Sequence, residues 1–171
     1  MNADELRLLQ QPLKERYRGE PAAAWVTLRA EAQLGDAVTC NVDTGRALVQ
    51  AGLHPATGGT GLAACSGDML LQALVACAGV TLGAVATALG IELRSGRLTA
   101  EGDLDFRGTL GVDKDTPVGF KEIRLRIEVN SGADPQQLEK VLHLTERYCV
   151  VYQTLRKSPD LVSSLQLSER R

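Results

Sequence analysis

The longest apolar segment of the chain runs from Met69 to Ile91 and contains no charged residue. Ser66 or Asp68 can cap its start and Gly90 can end it, so the pattern predicts one long helix. A helix that is apolar on every side is either a buried core helix or a membrane span. The length suffices for a span, but the alanines, glycines and threonines favour the buried helix, and we expect no membrane association.

Strand patterns lie on both sides of this helix. Residues Ala24–Ala30 and Val38–Val42 alternate in polarity around Gly35 and Asp36, which predicts a hairpin. Residues 52–67 are rich in glycine and predict a loop. Leu98–Leu110 alternates strictly, and the return strand places Ile123, Leu125, Ile127 and Val129 on one face, which is typical of an antiparallel sheet with one wet face.

Two further helices and a last strand are predicted. Residues 5–17 form a short amphipathic pattern that Pro12 is expected to disrupt. A second helix begins with Asp134 as N-cap, Pro135 at its first position and Gln137 at the capping-box position. Alternating apolar residues over 161–167 predict a final strand. This order of elements predicts an α+β fold.

Length and charge narrow the class of protein. The chain has 171 residues, enough for a single domain over 1–171 in which residues 1–20 form an N-terminal helical extension. The net charge is -2 with no basic cluster, so nucleic-acid binding is not expected. The first residues lack the basic and apolar pattern of a secretory signal, which predicts a cytoplasmic protein.

The four cysteines are the candidate chemical groups. Cys77 lies midway along the apolar helix, and Cys149 lies on the apolar face of the second helix, so packing of the two helices would bring both thiols together. A free cysteine often serves only as a small core residue, and that structural role remains open. A reactive Cys77 would need a lowered pKa, which we expect from an Arg or Lys elsewhere in the fold or in a partner subunit.

The other candidate groups suggest no metal or cofactor. Cys40 is expected to point inward from a strand, and Cys65 to be a loop thiol near the helix start. His54 is predicted in a turn and His143 on a solvated helix face. The chain has no CxxC pair and no clustered histidines, so neither a structural zinc site nor a bound cofactor is expected.

Two segments resemble the OsmC/Ohr superfamily. Residues 66–77 (SGDMLLQALVAC) are similar to its cysteine-bearing helix, and residues 146–151 (ERYCVV) are similar to the segment of its downstream cysteine. The resemblance implies antiparallel sheets wrapped around a long buried helix and an intertwined homodimer. In the peroxidase members the first cysteine attacks a hydroperoxide and the second resolves the sulfenic acid, with an external thiol as reductant. Carried over, Cys77 would be the nucleophile and Cys149 the resolving thiol.

The chain departs from the organic-hydroperoxide branch at the residues that support the first cysteine. That branch has a Glu ten residues before it, where this chain has Gly67, followed by Asp68. Asp68 is therefore either a supporting carboxylate or a helix cap, and the cap is favoured. The predicted hairpin turn has no Arg, and the nearest are Arg29 and Arg46. Val150 follows the second cysteine where many members have Pro.

Two functions follow from these patterns. The first is a thiol-dependent peroxidase acting on organic hydroperoxides through Cys77 and Cys149. The second is a catalytically silent OsmC-like dimer that binds a small molecule or senses redox state. The pKa of Cys77 discriminates between them, since a lowered pKa favours the enzyme and an ordinary or raised pKa favours the silent protein.

Overall fold

The computed structural model of the chain describes residues 2–20, 31–34, 39–43 and 48–167. Over these residues it contains helices and strands in mixed order, with antiparallel strands and one long helix, so the predicted α+β class is confirmed.

The N-terminal extension is helix α1, Ala3–Gly19. The predicted helix is confirmed and is longer than expected, but the disruption at Pro12 is wrong, because the helix continues through this residue. Pro12 removes a single backbone hydrogen bond, to the carbonyl of Leu8. Leu8 is exposed, so water can satisfy that carbonyl.

Four short strands form the first sheet, in the order β1 to β4: Glu31–Leu34, Thr39–Asp43, Leu48–Gly52 and Ala64–Cys65. The first three are antiparallel to their neighbours, and β4 pairs parallel to β3. The predicted strand over residues 38–42 is confirmed as β2. The predicted strand over 24–30 and the turn at residues 35–36 lie outside the described residues. The glycine-rich segment carries β4 and a short 3-10 helix, Pro55–Thr57, so it is only in part a loop.

The apolar segment forms helix α2, Ser66–Leu89, and ends at Gly90, whose φ of 68° suits glycine. The predicted end is confirmed, but the predicted cap is wrong. The N-cap is Cys65, which makes no side-chain cap bond, and Asp68 lies in the first turn. By length and composition this helix suffices to cross a membrane, yet only 22% of its most apolar window is buried within the chain. Its buried face consists of Leu74, Ala78, Leu82, Val85 and Ala86.

The second sheet is a long antiparallel hairpin of β5, Leu93–Asp103, and β6, Glu122–Ser131. The prediction that the first strand reaches Leu110 is wrong, because helix α3, Phe106–Thr109, follows β5. Asp105 caps this helix by accepting a hydrogen bond from the backbone N–H of Arg107 at 3.2 Å. Such a local cap competes with strand pairing and turns the chain here.

Helix α4, Pro135–Tyr148, carries the predicted cap. Asp134 accepts from the N–H of Gln137 at 2.8 Å, and the Gln137 side chain accepts from the N–H of Asp134 at 3.1 Å. Helix α5, Val150–Arg156, follows after a break at Cys149. The predicted final strand is wrong. Residues 158–167 form neither helix nor strand and are exposed, because an alternating segment becomes a strand only where a neighbour accepts its backbone hydrogen bonds.

The core lies between α2, α4 and one face of the hairpin. Its centre is made by Leu82, Val85 and Ala86 of α2 with Val141 of α4. Apolar residues of the hairpin and of α4 pack against this centre, namely Ile91, Leu93, Leu98, Ile127, Val129 and Leu144. The packing of α4 on α2 fixes where the two candidate cysteines lie relative to each other.

Candidate thiol site

The structure brings Cys77 and Cys149 together. Cys77 lies in the middle of α2, and Cys149 lies between α4 and α5, both of which pack on α2. The two thiols interact with each other, and neither takes part in a disulfide. The packing of α4 and α5 on α2 therefore brings the two cysteines together, as the sequence predicts.

The two thiols differ in their access to solvent. Cys149 is fully buried, with 0% of its surface exposed. Cys77 is half-buried, since α2 presents it at the edge of its covered face next to the fully buried Ala78. Only the Cys77 sulfur is therefore open to a small solute.

Hydrogen bonds set the state of the Cys77 thiol. Burial alone would raise its pKa, but four donors outweigh burial and lower the pKa from its ordinary value. The strongest is the backbone N–H of Val151, followed by the thiol of Cys149 and the N–H of Val150. The hydroxyl of Thr81 contributes least, because it already donates to the Cys77 carbonyl at 2.8 Å.

In the described part of the chain, groups other than the expected Arg or Lys lower the pKa of Cys77. None of the main influences on the pKa of Cys77 is a basic side chain. The first turn of α5 lowers the pKa instead, because residues at the first turn of a helix have N–H groups without a helical partner. Arg29 and Arg46 lie outside the described residues.

Cys149 has the opposite character. Burial raises the pKa of its thiol, the N–H of Tyr152 opposes this in part, and the neighbouring Cys77 raises it further. A neutral Cys149 thiol can donate its hydrogen to the Cys77 thiolate, whereas a Cys149 thiolate would face a second negative charge. The pair thus favours one thiolate, on Cys77.

The break between α4 and α5 creates this arrangement. Cys149 is extended, with φ -73° and ψ 110°, and its own N–H makes the last bond of α4, to the carbonyl of Thr145 at 2.9 Å. The backbone N–H of Gln153 then returns to the Cys149 carbonyl at 3.0 Å. The side-chain amide of Gln153 donates to the Glu146 carbonyl at 2.8 Å.

A cavity of about 390 Å³ lies near the pair, although neither cysteine lines it. Leu74, one turn before Cys77, and Tyr152, one turn after Cys149, both line it. The other apolar residues of its wall come mainly from β6 and α4. Four charged residues also line the cavity, namely Lys121, Glu122, Glu146 and Arg156. The space suits a small molecule with an apolar body.

Asp68 is not brought to the pair. It lies nine residues before Cys77 in the same helix, which corresponds to roughly 13 Å along the helix axis. Asp68 and Cys65 instead line a separate cavity of about 330 Å³ with His54. A first-turn carboxylate is favourable at a helix start, so a role in helix stability suits Asp68 better than a role at the thiols.

Sequence reasoning missed Thr81, Gln153 and the two valine N–H groups. Thr81 carried a signal, since it follows Cys77 by four residues and so lies on the same helix face. The valine N–H groups carried none, because every residue has an N–H and only the break at Cys149 frees these two. Among the described residues, no group of three His, Cys, Asp or Glu side chains is placed to hold a metal.

The fold and the site define an α+β protein with two unequal thiols between a central helix and the C-terminal helices. Residues 59–164 match the model of the OsmC-like protein family, and the chain belongs to this family. No curated protein is significantly similar to the chain in sequence. Membership makes a core helix, rather than a membrane span, the consistent interpretation of α2.

Solved structures share the fold at low sequence identity. An OsmC-like protein from Mycoplasma pneumoniae superposes with a TM-score of 0.65 and 18% identity, covering 78% of this chain and 89% of that one. An organic hydroperoxide resistance protein from Elizabethkingia anophelis gives 0.64 and 17%, covering 79% and 91%. An organic hydroperoxide resistance protein OsmC from Legionella pneumophila gives 0.61 and 21%, covering 78% and 92%.

Proposed function

We propose that the protein is a cytoplasmic thiol-dependent peroxidase that reduces organic hydroperoxides, with Cys77 as nucleophile and Cys149 as resolving thiol. The observation that carries the proposal is the pairing of a half-exposed thiol of lowered pKa with a buried neutral thiol in contact with it. The thiolate is the nucleophilic form of cysteine, and its partner must be close for a disulfide to form.

The reaction has three steps. The Cys77 thiolate attacks the terminal oxygen of the hydroperoxide, the O–O bond breaks, and the alkoxide leaves with a proton as an alcohol. The thiol of Cys149 then attacks the Cys77 sulfenic acid, which forms a disulfide and releases water. A dithiol reductant reduces the disulfide and regenerates both thiols. The cavity near the pair would hold the apolar body of the hydroperoxide.

The hydrogen bonding of Cys77 favours this function over a catalytically silent dimer. A protein that only binds a small molecule has no need to lower the pKa of Cys77, and burial alone would raise it. Instead, two backbone N–H groups and the Cys149 thiol face the sulfur. Solved structures described as organic hydroperoxide resistance proteins share the fold, which is consistent with the proposal.

A peroxide-consumption assay tests the proposal. The purified chain, an organic hydroperoxide and a dithiol are combined, and the remaining peroxide is measured over time. We expect turnover by the natural chain and only the uncatalysed rate for Cys77→Ser. Cys65→Ser is the matched control, since this thiol lies in a separate cavity, and it should keep full activity. Equal turnover by Cys77→Ser and the natural chain would reject the proposal.

We also propose that the working form is a homodimer in which a second copy covers the open face of α2. This helix has no charged residue between Met69 and its end, yet only 22% of its most apolar window is buried within the chain, and Val80 is 77% exposed. An uncovered apolar helix of this length is costly in water, and a second copy offers the same apolar face. Val80 lies one turn after Cys77, so the partner would also limit access to the site.

The mass in solution tests the dimer. The natural chain should elute with twice the single-chain mass in light-scattering chromatography, and Val80→Glu should shift it to the single-chain mass, because a carboxylate would be buried without a partner. Val112→Glu is the matched control, since Val112 is 73% exposed and lies in a loop outside α2. A natural chain with the single-chain mass would reject the dimer.

A further inference from the structure

The junction between α4 and α5 leaves the carbonyl of Glu146 without its usual helical donor. In a continuous helix the N–H of Val150 would donate to the carbonyl of Glu146, four residues earlier. The extended conformation of Cys149 turns the chain at this point, so the Val150 N–H points elsewhere. It lies against the sulfur of Cys77, together with the N–H of Val151.

The side chain of Gln153 occupies the vacated acceptor. Its Nε2 donates to the Glu146 carbonyl at 2.8 Å, while its backbone N–H donates to the Cys149 carbonyl at 3.0 Å. Gln153 thus holds both sides of the break. A half-buried carbonyl without a donor is unfavourable, and the donor that it would have in a continuous helix is the Val150 N–H.

We propose that Gln153 is a positioning residue for the Cys77 thiol: its side-chain amide replaces the Val150 N–H on the Glu146 carbonyl and so leaves that N–H free for the Cys77 sulfur. The inference rests on the proposed role of Cys77 as nucleophile, but it concerns the hydrogen bonding of the thiol and not the hydroperoxide. Without the Gln153 amide, the Glu146 carbonyl recaptures the Val150 N–H, and Cys77 loses this one donor while it keeps the Val151 N–H.

Gln153→Met tests the amide, because methionine has the same length and no donor. The readout is the rate at which iodoacetamide alkylates Cys77 in the full chain, followed by peptide mass over a range of pH. We expect the rate at pH 7 to fall about two- to tenfold, the range that one ordinary hydrogen bond commands, and the pH profile to move to higher pH. Thr154→Val, an exposed neighbour on α5, is the control and should leave both unchanged.

Val150→Pro separates positioning from a general effect on stability. Proline is favoured at the first position of a helix, it has no N–H to give to Glu146, and it requires the extended conformation that Cys149 already has. In this background the competition is gone, so Gln153→Met should cause no further fall in the rate. An equal fall in both backgrounds, or no fall in Gln153→Met alone, would overturn the inference.

An NMR titration gives a second readout that does not depend on the proline variant folding. The amide signals of Val150 and Val151 should both follow the ionisation of Cys77 in the natural chain. In Gln153→Met only Val151 should still follow it, and a Val150 signal that continues to do so would overturn the inference. If these results hold while no hydroperoxide is consumed, the peroxidase proposal fails and the role of Gln153 stands.

Discussion

The thiols of Cys77 and Cys149 interact with each other, yet the surroundings of one thiol are nearly the reverse of the other. Cys77 is half-exposed in the middle of a helix, where no unpaired N–H of that helix is available. Cys149 is fully buried at a helix break, with a raised pKa. The N–H groups freed by the break at Cys149 lower the pKa of Cys77. The pKa of each thiol therefore depends on the element that carries the other thiol.

This difference shows that the reactivity of a cysteine depends on the elements packed against it and not only on the helix that carries it. A cysteine in the middle of a helix gains nothing from the end of its own helix, but it gains from the start of another helix packed against it. Cys149, which lies at the break, is buried and its thiol is neutral. This suits a thiol that reacts only after the sulfenic acid has formed on Cys77. Three experiments test the difference between the two thiols, in decreasing order of the effect that we expect.

The largest difference is expected in turnover. Cys149→Ser should consume about one equivalent of hydroperoxide per subunit and then stop, because Cys77 reaches the sulfenic acid and finds no second thiol. Mass spectrometry after trapping with dimedone should find the adduct on Cys77. Sustained turnover in Cys149→Ser at the natural rate would show that Cys149 is not the resolving thiol.

A smaller difference is expected in the pH dependence of alkylation. The lowered pKa of Cys77 increases the thiolate fraction at a given pH below that pKa, and its alkylation should decline as the pH falls through that lowered pKa. The raised pKa of Cys149 delays its alkylation to higher pH, and burial slows it further. At pH 7 we expect Cys77 to react about tenfold faster or more. Mapping the alkylated peptides measures both rates, and equal rates would contradict the comparison.

The smallest effect concerns the helix that carries Cys149. Asp134→Ala removes the cap of α4 and should lower the free energy of unfolding by about 1 kcal/mol, a fall of about 2–4 °C in Tm. Alkylation of buried Cys149 through opening should rise about fivefold, while that of Cys77 stays unchanged. Gln136→Ala, an exposed residue of the same turn, is the control. An unchanged Tm for Asp134→Ala would contradict the role of the cap.

The predictable parts of the fold were those with a local signal. The cap of α4 at Asp134 and the end of α2 at Gly90 depend on residues within a turn of each other, and both are confirmed. The failures at Pro12, at Leu110 and over residues 161–167 have a different origin. At each of them the outcome depends on solvent, on a competing cap or on the presence of a neighbouring strand, which the local pattern does not contain.

The α+β class, the uncharged central helix and the approach of the two cysteines could be predicted from the sequence alone. These follow from periodicity, composition and capping, which are properties of neighbouring residues. Which thiol is activated, and by which groups, depends on the tertiary structure. The donors at Cys77 are backbone N–H groups, which every residue possesses, and they act only because the break at Cys149 frees them and the packing of α5 on α2 aims them at the sulfur.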